Sequence, residues 1–217
     1  IVILDDGYQH RALKREINIL LTEYNQLFTN DSLLPIGKLR EPRFEKRRAN
    51  IIIVTKCPNN ISPKTQKSII ENLNLDVHQK IYFSYISKYS FLNMNTKQTH
   101  KTHKNQTHIL VTGIENPQEL LNFLDSQNID FKHFKFEDHH HFNQSDINKI
   151  IQFSKTKNYS KELLLTEKDY YRLSEEHKQK LEKFFTLICV QIEIDFIDQD
   201  KSNFNQQLCN FAESKIT

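Results

Sequence analysis

The chain has 217 residues, 37% of them hydrophobic and 26% charged, with a formal net charge of +3. That length suits one large domain or two small ones, a core can be buried, and disorder is not the default. The small charge makes no case for nucleic acid, no apolar run nears the roughly 18 residues of a membrane span, and three dispersed cysteines without CxxC spacing fit a reduced, cytoplasmic compartment better than a disulfide framework.

Residues 1–5 read as a strand: four apolar residues that end in two adjacent carboxylates, Asp5 and Asp6, and then Gly7. This is how a buried parallel strand delivers acidic groups to the rim of an α/β sheet. The chain opens on Ile1 instead of Met, as though cut in mid-strand, so a preceding part is expected. Residues 16–23 give a second short strand, and residues 49–56 a third, closed by Pro58. The intervening residues 30–48 form a basic loop around Leu33-Leu34-Pro35-Ile36-Gly37-Lys38-Leu39-Arg40-Glu41-Pro42. Long ordered loops in compact domains are often functional. Ile69, Ile70 and Leu73 predict an amphipathic helix over 63–75, and the imperfect alternation of Ile81, Phe83 and Tyr85 predicts an extended strand over 80–92.

Residues 93–108 are rich in Asn, Thr, Lys, Gln and His and read as a linker or an exposed hairpin tip. His100, His103 and His108 lie in it, but a flexible polar tract gives a metal no fixed supporting groups. A second α/β unit follows, with strands over 108–112, 130–137, 163–166 and 187–197. Helices are expected over 117–127, after Asn143, over 169–184 and over 203–214. Asn143 and Asp146 have capping-box spacing, as do Thr166 and Asp169. The fold class is α/β, with a mainly parallel sheet in each half.

Glycine is informative. The chain has three, Gly7, Gly37 and Gly113, so neither G-x-x-x-x-G-K-[ST] nor G-x-G-x-x-G can be written anywhere in it. If a nucleotide is handled, its Gly-rich cradle lies elsewhere. A carboxylate pair at the end of an apolar strand suits Mg²⁺ beside a nucleotide phosphate, yet Asp6-Gly7 also reads as a plain turn. Gln9, His10 and Arg11 add polar groups to the same rim and favour a site. Arg40-Glu41-Pro42 lies among Lys38, Arg43, Lys46, Arg47 and Arg48, which suits phosphate groups or a solvated basic surface; the embedded Glu41 favours a site. Glu137-Asp138-His139-His140-His141 ends a strand just before a capped helix and offers a base, an orienting group or a metal ligand. Three consecutive histidines cannot all point one way, so one inward histidine with the others solvated is the better reading, and by pattern alone a surface cluster competes with it. Thr166-Glu167-Lys168-Asp169 is sufficiently explained by helix capping.

Taken together, IVILDDGYQHR, LLPIGKLREPRFEKRRANIIIVTKCP, LVTGIENP with FEDHHHFNQSDI, and TEKDYYRL resemble, in order, segments of the tetraacyldisaccharide 4′-kinases, the lipid A 4′-kinases. The resemblance spans nearly the whole chain; DDGYQHR and LLPIGKLREP are its most specific pieces, and Tyr8 stands where that family more often has Phe. It implies a P-loop NTPase-like parallel sheet plus a smaller second α/β domain, joined by a hinge with a cleft between them. It also implies transfer of the γ-phosphate of ATP to the 4′-hydroxyl of tetraacyldisaccharide 1-phosphate, giving lipid IVA. The cofactors would be ATP and Mg²⁺, the partner a lipid A precursor, and the location the cytoplasmic face of a Gram-negative inner membrane, contacted through an N-terminal part. Carried over residue by residue, Asp5, Asp6 and Glu41 would hold the metal, and Gln9, His10 and Arg40 the nucleotide phosphates. His139, with Asp138, would be catalytic, reaching across the cleft to support an aspartate base.

The organisation implied is 1–92 as the remainder of a P-loop domain, 93–108 as linker, 109–186 as the second domain, and 187–217 returning toward the first. The family's phosphate loop, aspartate base and membrane-facing helix have no counterpart in these residues, so the isolated chain is expected to be an inactive fragment. Two other readings stay open: a metal-dependent hydrolase using Asp5, Asp6 and the His139 cluster, against which the lack of H-E-x-x-H spacing counts, and a non-catalytic α/β binding module.

Overall fold

The computed structural model describes residues 2–213. Two compact units are present: one built from the residues up to Ser87 together with those from Glu193, the other from Lys88–Ile192.

In the first unit, β1 (Ile19–Glu23), β2 (Ile51–Thr55) and the start of β3 (Lys80–Asn93) pair in parallel, with Ile19 opposite Ile51 and Ile51 opposite Lys80. The Ile51–Val54 run is continuous because β2 is buried on both faces. Ile52 and Val54 point into one core with Phe83, Ile69 and Leu73. Ile51 and Ile53 point into another with Tyr82, Phe196, Phe204 and Leu208. Helix α1 (Pro63–Leu73) starts on Ser62, whose side chain accepts from the Thr65 amide, and stops at Asn74, which takes a left-handed φ of 46°.

In the second unit the strand order is β8 (Thr186–Phe196, its first part), β7 (Glu162–Thr166), β5 (His108–Thr112), β6 (Phe131–Lys135), all parallel. Alternation along the strands again separates two cores. Ile109, Val111, Leu163 and Leu165 meet α3 (Gln144–Ser154) through Ile147, Ile150 and Ile151. Leu110, Leu164 and Ile188 meet α2 (Gln118–Ser126) through Leu120 and Leu124. The Asn143–Asp146 capping box is formed in full.

Two expectations are corrected. Residues 2–5 are not a strand: Val2 and Ile3 are 96% and 89% exposed, and Asp5 and Asp6 lie in a turn where Asp6 has φ 48°. A doubly buried strand exists only with ladder partners, and none of the described strands pairs with this segment. Ile1 lies outside the described residues. The helix expected over 169–184 is two, α4 (Glu167–Arg172) and α5 (Glu175–Glu182), because Ser174 turns extended and caps the second through its bond from the His177 amide. In the polar tract, β4 (Gln98–His100) pairs antiparallel with the end of β3 as a hairpin, Met94 is buried, and His100 Nε2 meets Glu162 Oε1 at 2.7 Å. The terminal helix, α6, covers Asp200–Glu213.

Candidate active site

The two segments singled out in the first unit converge. Asp6 Oδ2 pairs with Arg40 Nη1 at 2.9 Å, and Arg11 Nε and Nη2 donate to Glu41 Oε1 at 3.2 and 3.1 Å. Both arginines and Asp6 are exposed, whereas Glu41 is largely covered. Asp5 is exposed and its Oδ1 accepts from the Asp6 amide at 3.0 Å. Gln9 and His10 are exposed on the same turn, which closes through the His10 amide on the Gly7 carbonyl at 3.0 Å.

Beneath this surface lies an ionic knot. Arg48 Nη2 bonds Glu41 Oε2, Arg48 Nε lies 2.8 Å from Glu45 Oε2, and Arg11 Nη2 lies 3.1 Å from Glu45 Oε1. Arg48 also donates to the Tyr8 carbonyl at 2.8 Å and covers the Tyr8 ring, 4.4 Å from its centroid. The Tyr8 hydroxyl donates to the Glu45 carbonyl at 2.9 Å, and burial raises its pKa above the ordinary phenol value. The loop that presents Arg40 closes between Leu33 and Leu39, with the Leu34 amide on the Leu39 carbonyl and the Leu39 amide on the Ser32 carbonyl, each 2.9 Å. Gly37 is obligatory there, since a Cβ would sit 2.2 Å from the Ser32 carbonyl oxygen. The loop's tips Leu34, Ile36 and Phe44 are exposed and, with Asp31 and Arg43, line an open depression of about 560 Å³.

Mg²⁺ takes hard oxygen ligands and keeps several waters, needing only one or two carboxylates beside a phosphate. Asp5 and Asp6 have that donor chemistry, so they fit an ion held mainly by water and phosphate. They do not make a cage: among the described residues no group of three or more His, Cys, Asp or Glu is arranged to hold a metal. Each oxygen of Glu41 already holds an arginine, so a metal there requires one of them to turn away.

In the second unit, Asp138, His139 and His140 follow β6. His140 is the packed histidine: its ring stacks on Phe136 at 4.6 Å and its Nε2 meets Asp146 Oδ2 at 2.8 Å. Burial alone would raise the Asp146 pKa, but the bonds from His140 and from the Asn143 amide outweigh it and hold that carboxyl below the ordinary value. His141 is exposed. His139 is exposed too and has a left-handed φ of 58°; its amide donates to Asp138 Oδ1 at 2.9 Å, and its Nδ1 lies 3.2 Å from Arg172 Nη2. Arg172 in turn donates through Nη1 to the Gly113 carbonyl at 2.6 Å and lies 3.4 Å from Asp169 Oδ1. Asp169 is fully buried, accepting from the Gly113 amide at 3.0 Å and the Thr166 hydroxyl at 2.5 Å.

The family model for LpxK, described as tetraacyldisaccharide-1-P 4′-kinase, matches residues 1–213. The chain belongs to the tetraacyldisaccharide-1-P 4′-kinase family. A relative from Bacteroides fragilis named tetraacyldisaccharide 4′-kinase is 37% identical over 224 residues, covering 98% of this chain and 58% of the relative. One of the same name from Flavobacterium psychrophilum is 38% identical over 226 residues, covering 100% and 61%. The chain therefore spans about three fifths of the length of the curated relatives it matches. A crystal structure of LpxK from Aquifex aeolicus in complex with ATP shares the fold, with a TM-score of 0.59 at 20% identity over 95% of this chain and 56% of that one.

Within this family member, sequence reasoning singled out Asp6, Arg40 and Glu41 but passed over Glu45, gave Arg48 only a place in a basic run, and gave Asp169 and Arg172 only a helix start. One signal was present for both: each pair is spaced i, i+3 with opposite charge, Glu45 with Arg48 and Asp169 with Arg172.

Proposed function

We propose that these residues are part of a kinase that phosphorylates the 4′-hydroxyl of tetraacyldisaccharide 1-phosphate from ATP, giving lipid IVA. The observation that carries the reading is the convergence of the DDGYQHR and REP segments, through Asp6 with Arg40 and Arg11 with Glu41, in a member of that kinase family. Phosphoryl transfer needs positioning and charge neutralisation more than covalent chemistry, and this surface offers both. Arg40, with Gln9 and His10 on the adjoining turn, binds phosphate oxygens. Asp5 and Asp6 hold Mg²⁺, with Glu41 as a further ligand when one of its arginines turns away; the ion, when bound, neutralises charge on the transferring group. Asp138 and His139 act at the acceptor hydroxyl. The exposed Leu34, Ile36 and Phe44 beside Arg43 suit an amphiphile with phosphate and acyl parts, and the reading includes action at the cytoplasmic face of the inner membrane.

The 217 residues contain no G-x-x-x-x-G-K-[ST], so the phosphate loop comes from another segment, and these residues alone do not transfer phosphate. The test measures ATP-dependent phosphorylation of tetraacyldisaccharide 1-phosphate by an enzyme joining a family phosphate-loop segment to these residues. Asp6→Asn, Arg40→Leu and His139→Ala are each expected to lower transfer about a hundredfold or more. Unchanged rates in all three would overturn the site assignment, and transfer by the 217 residues alone would overturn the placement of the phosphate loop elsewhere.

A further inference from the structure

We infer that Arg172, backed by the buried Asp169, is a positioning residue that fixes the tautomer of His139, holding Nδ1 as an acceptor and leaving Nε2–H as the donor that His139 presents. The inference rests on the proposed role of His139 at the acceptor hydroxyl, and it narrows that role to donating a hydrogen bond.

The chemistry of the pair decides the tautomer. A guanidinium has only donors, so whichever ring nitrogen faces it must accept. Arg172 Nη2 lies 3.2 Å from His139 Nδ1, which places the ring's lone pair at Nδ1 and its proton at Nε2. Nε2 has the Asp138 carboxylate 3.6 Å away, and the ring is otherwise open to solvent. Such a ring cannot take a proton at Nδ1 without losing its arginine, and at Nε2 it offers a donor.

The support behind Arg172 is built and not incidental. One of its nitrogens, Nη1, donates to the Gly113 carbonyl at 2.6 Å while Asp169 Oδ1 lies 3.4 Å away. Asp169 is itself pinned by the Gly113 amide and the Thr166 hydroxyl at the ends of β5 and β7. A Cβ on Gly113 would lie 3.1 Å from Asp169 Oδ1 and 3.2 Å from the Glu137 carbonyl, so glycine lets the two strand ends and the histidine turn approach closely. The TEKD segment, which capping alone suffices to explain, thus also orients the neighbouring DHH segment.

The test is imidazole ¹⁵N–¹H correlation spectroscopy on the 217-residue chain with labelled histidine, at about pH 8 where an ordinary imidazole is neutral. His139→Gln assigns the signal. The expected result is one resonance at the unprotonated end of the nitrogen range for Nδ1 and one at the protonated end for Nε2. In Arg172→Leu the two are expected to move toward each other, as in a free ring that exchanges tautomers, and Arg172→Lys, which restores a donor, to recover part of the separation. His140, held by Asp146, should not change and so reports that the turn is still folded. A wild-type His139 protonated at Nδ1, or an Arg172→Leu pattern identical to wild type with His140 intact, would overturn the inference. A changed tautomer with unchanged phosphoryl transfer by Arg172→Leu in the enzyme joined to a phosphate-loop segment would instead leave the positioning standing and overturn the catalytic role of His139.

Discussion

The two functional segments are held in place by opposite means. In the first unit, residues 2–18 and 30–48 have no regular structure beyond two short 3₁₀ turns, and they are tied to each other by Arg11, Arg48, Glu41 and Glu45. Those charges are partly solvated, with Arg11 and Arg48 side chains 57% and 21% exposed. In the second unit, the histidine turn is tied to two buried carboxylates: Asp169, fully buried between two strand ends, through Arg172, and Asp146 through His140. Loops tied mainly to each other depend on several modest charge pairs. A turn anchored at strand ends rests on a few buried groups whose bonds are satisfied.

The comparison can be tested by removing each anchor. Asp169→Ala should have the largest effect, about 3–5 kcal/mol in urea unfolding, because it strands the Gly113 amide, the Thr166 hydroxyl and Arg172. Arg48→Leu should cost less, about 1–2 kcal/mol, because water and Arg11 still reach both glutamates. The cost of Arg48→Leu should also shrink in about 1 M salt, where the screening length is about 3 Å, while that of Asp169→Ala should not. Equal costs, or equal salt dependence, would erase the distinction.

The smallest expected effect is the response of the histidine turn to acid. The Asp146 pKa is depressed in the fold, so its contribution is fully present above the ordinary carboxylate value near 4 and is lost as pH falls through the lower folded value. The stability difference between wild type and Asp146→Asn should accordingly hold near neutrality and diminish below about pH 4. A difference that grows on acidification would contradict the depressed value.

What was legible in the sequence follows from how local each signal is. The runs of β2, β5 and β7 and the Asn143 and Thr166 caps need only neighbours within a few residues to declare themselves. The opening Ile-Val-Ile-Leu run looks the same whether or not a partner strand exists, and the described part of it, residues 2–4, is exposed. The break between α4 and α5 was readable, since Ser174 opens a capping pattern inside an otherwise helical stretch. The convergence of Asp6 on Arg40 and of Arg172 on His139 was not, because those pairs are 34 and 33 residues apart and no local pattern specifies them. Pattern alone could not say which of the three histidines packs, and only contacts single out His140.

The chain leaves the first unit inside β3, after Ser87, and returns to it inside β8, at Glu193. Ile197, Phe196, Phe204 and Leu208 therefore complete that unit's cores from far downstream, and the Ile197 amide bonds the Phe83 carbonyl at 2.9 Å. During synthesis at about 5–20 residues per second, the second unit is made in full while the first still lacks its last wall. The ribosome thus delivers these residues in an order that lets the histidine turn mature first and the Asp6–Arg40 surface gain its supporting core last.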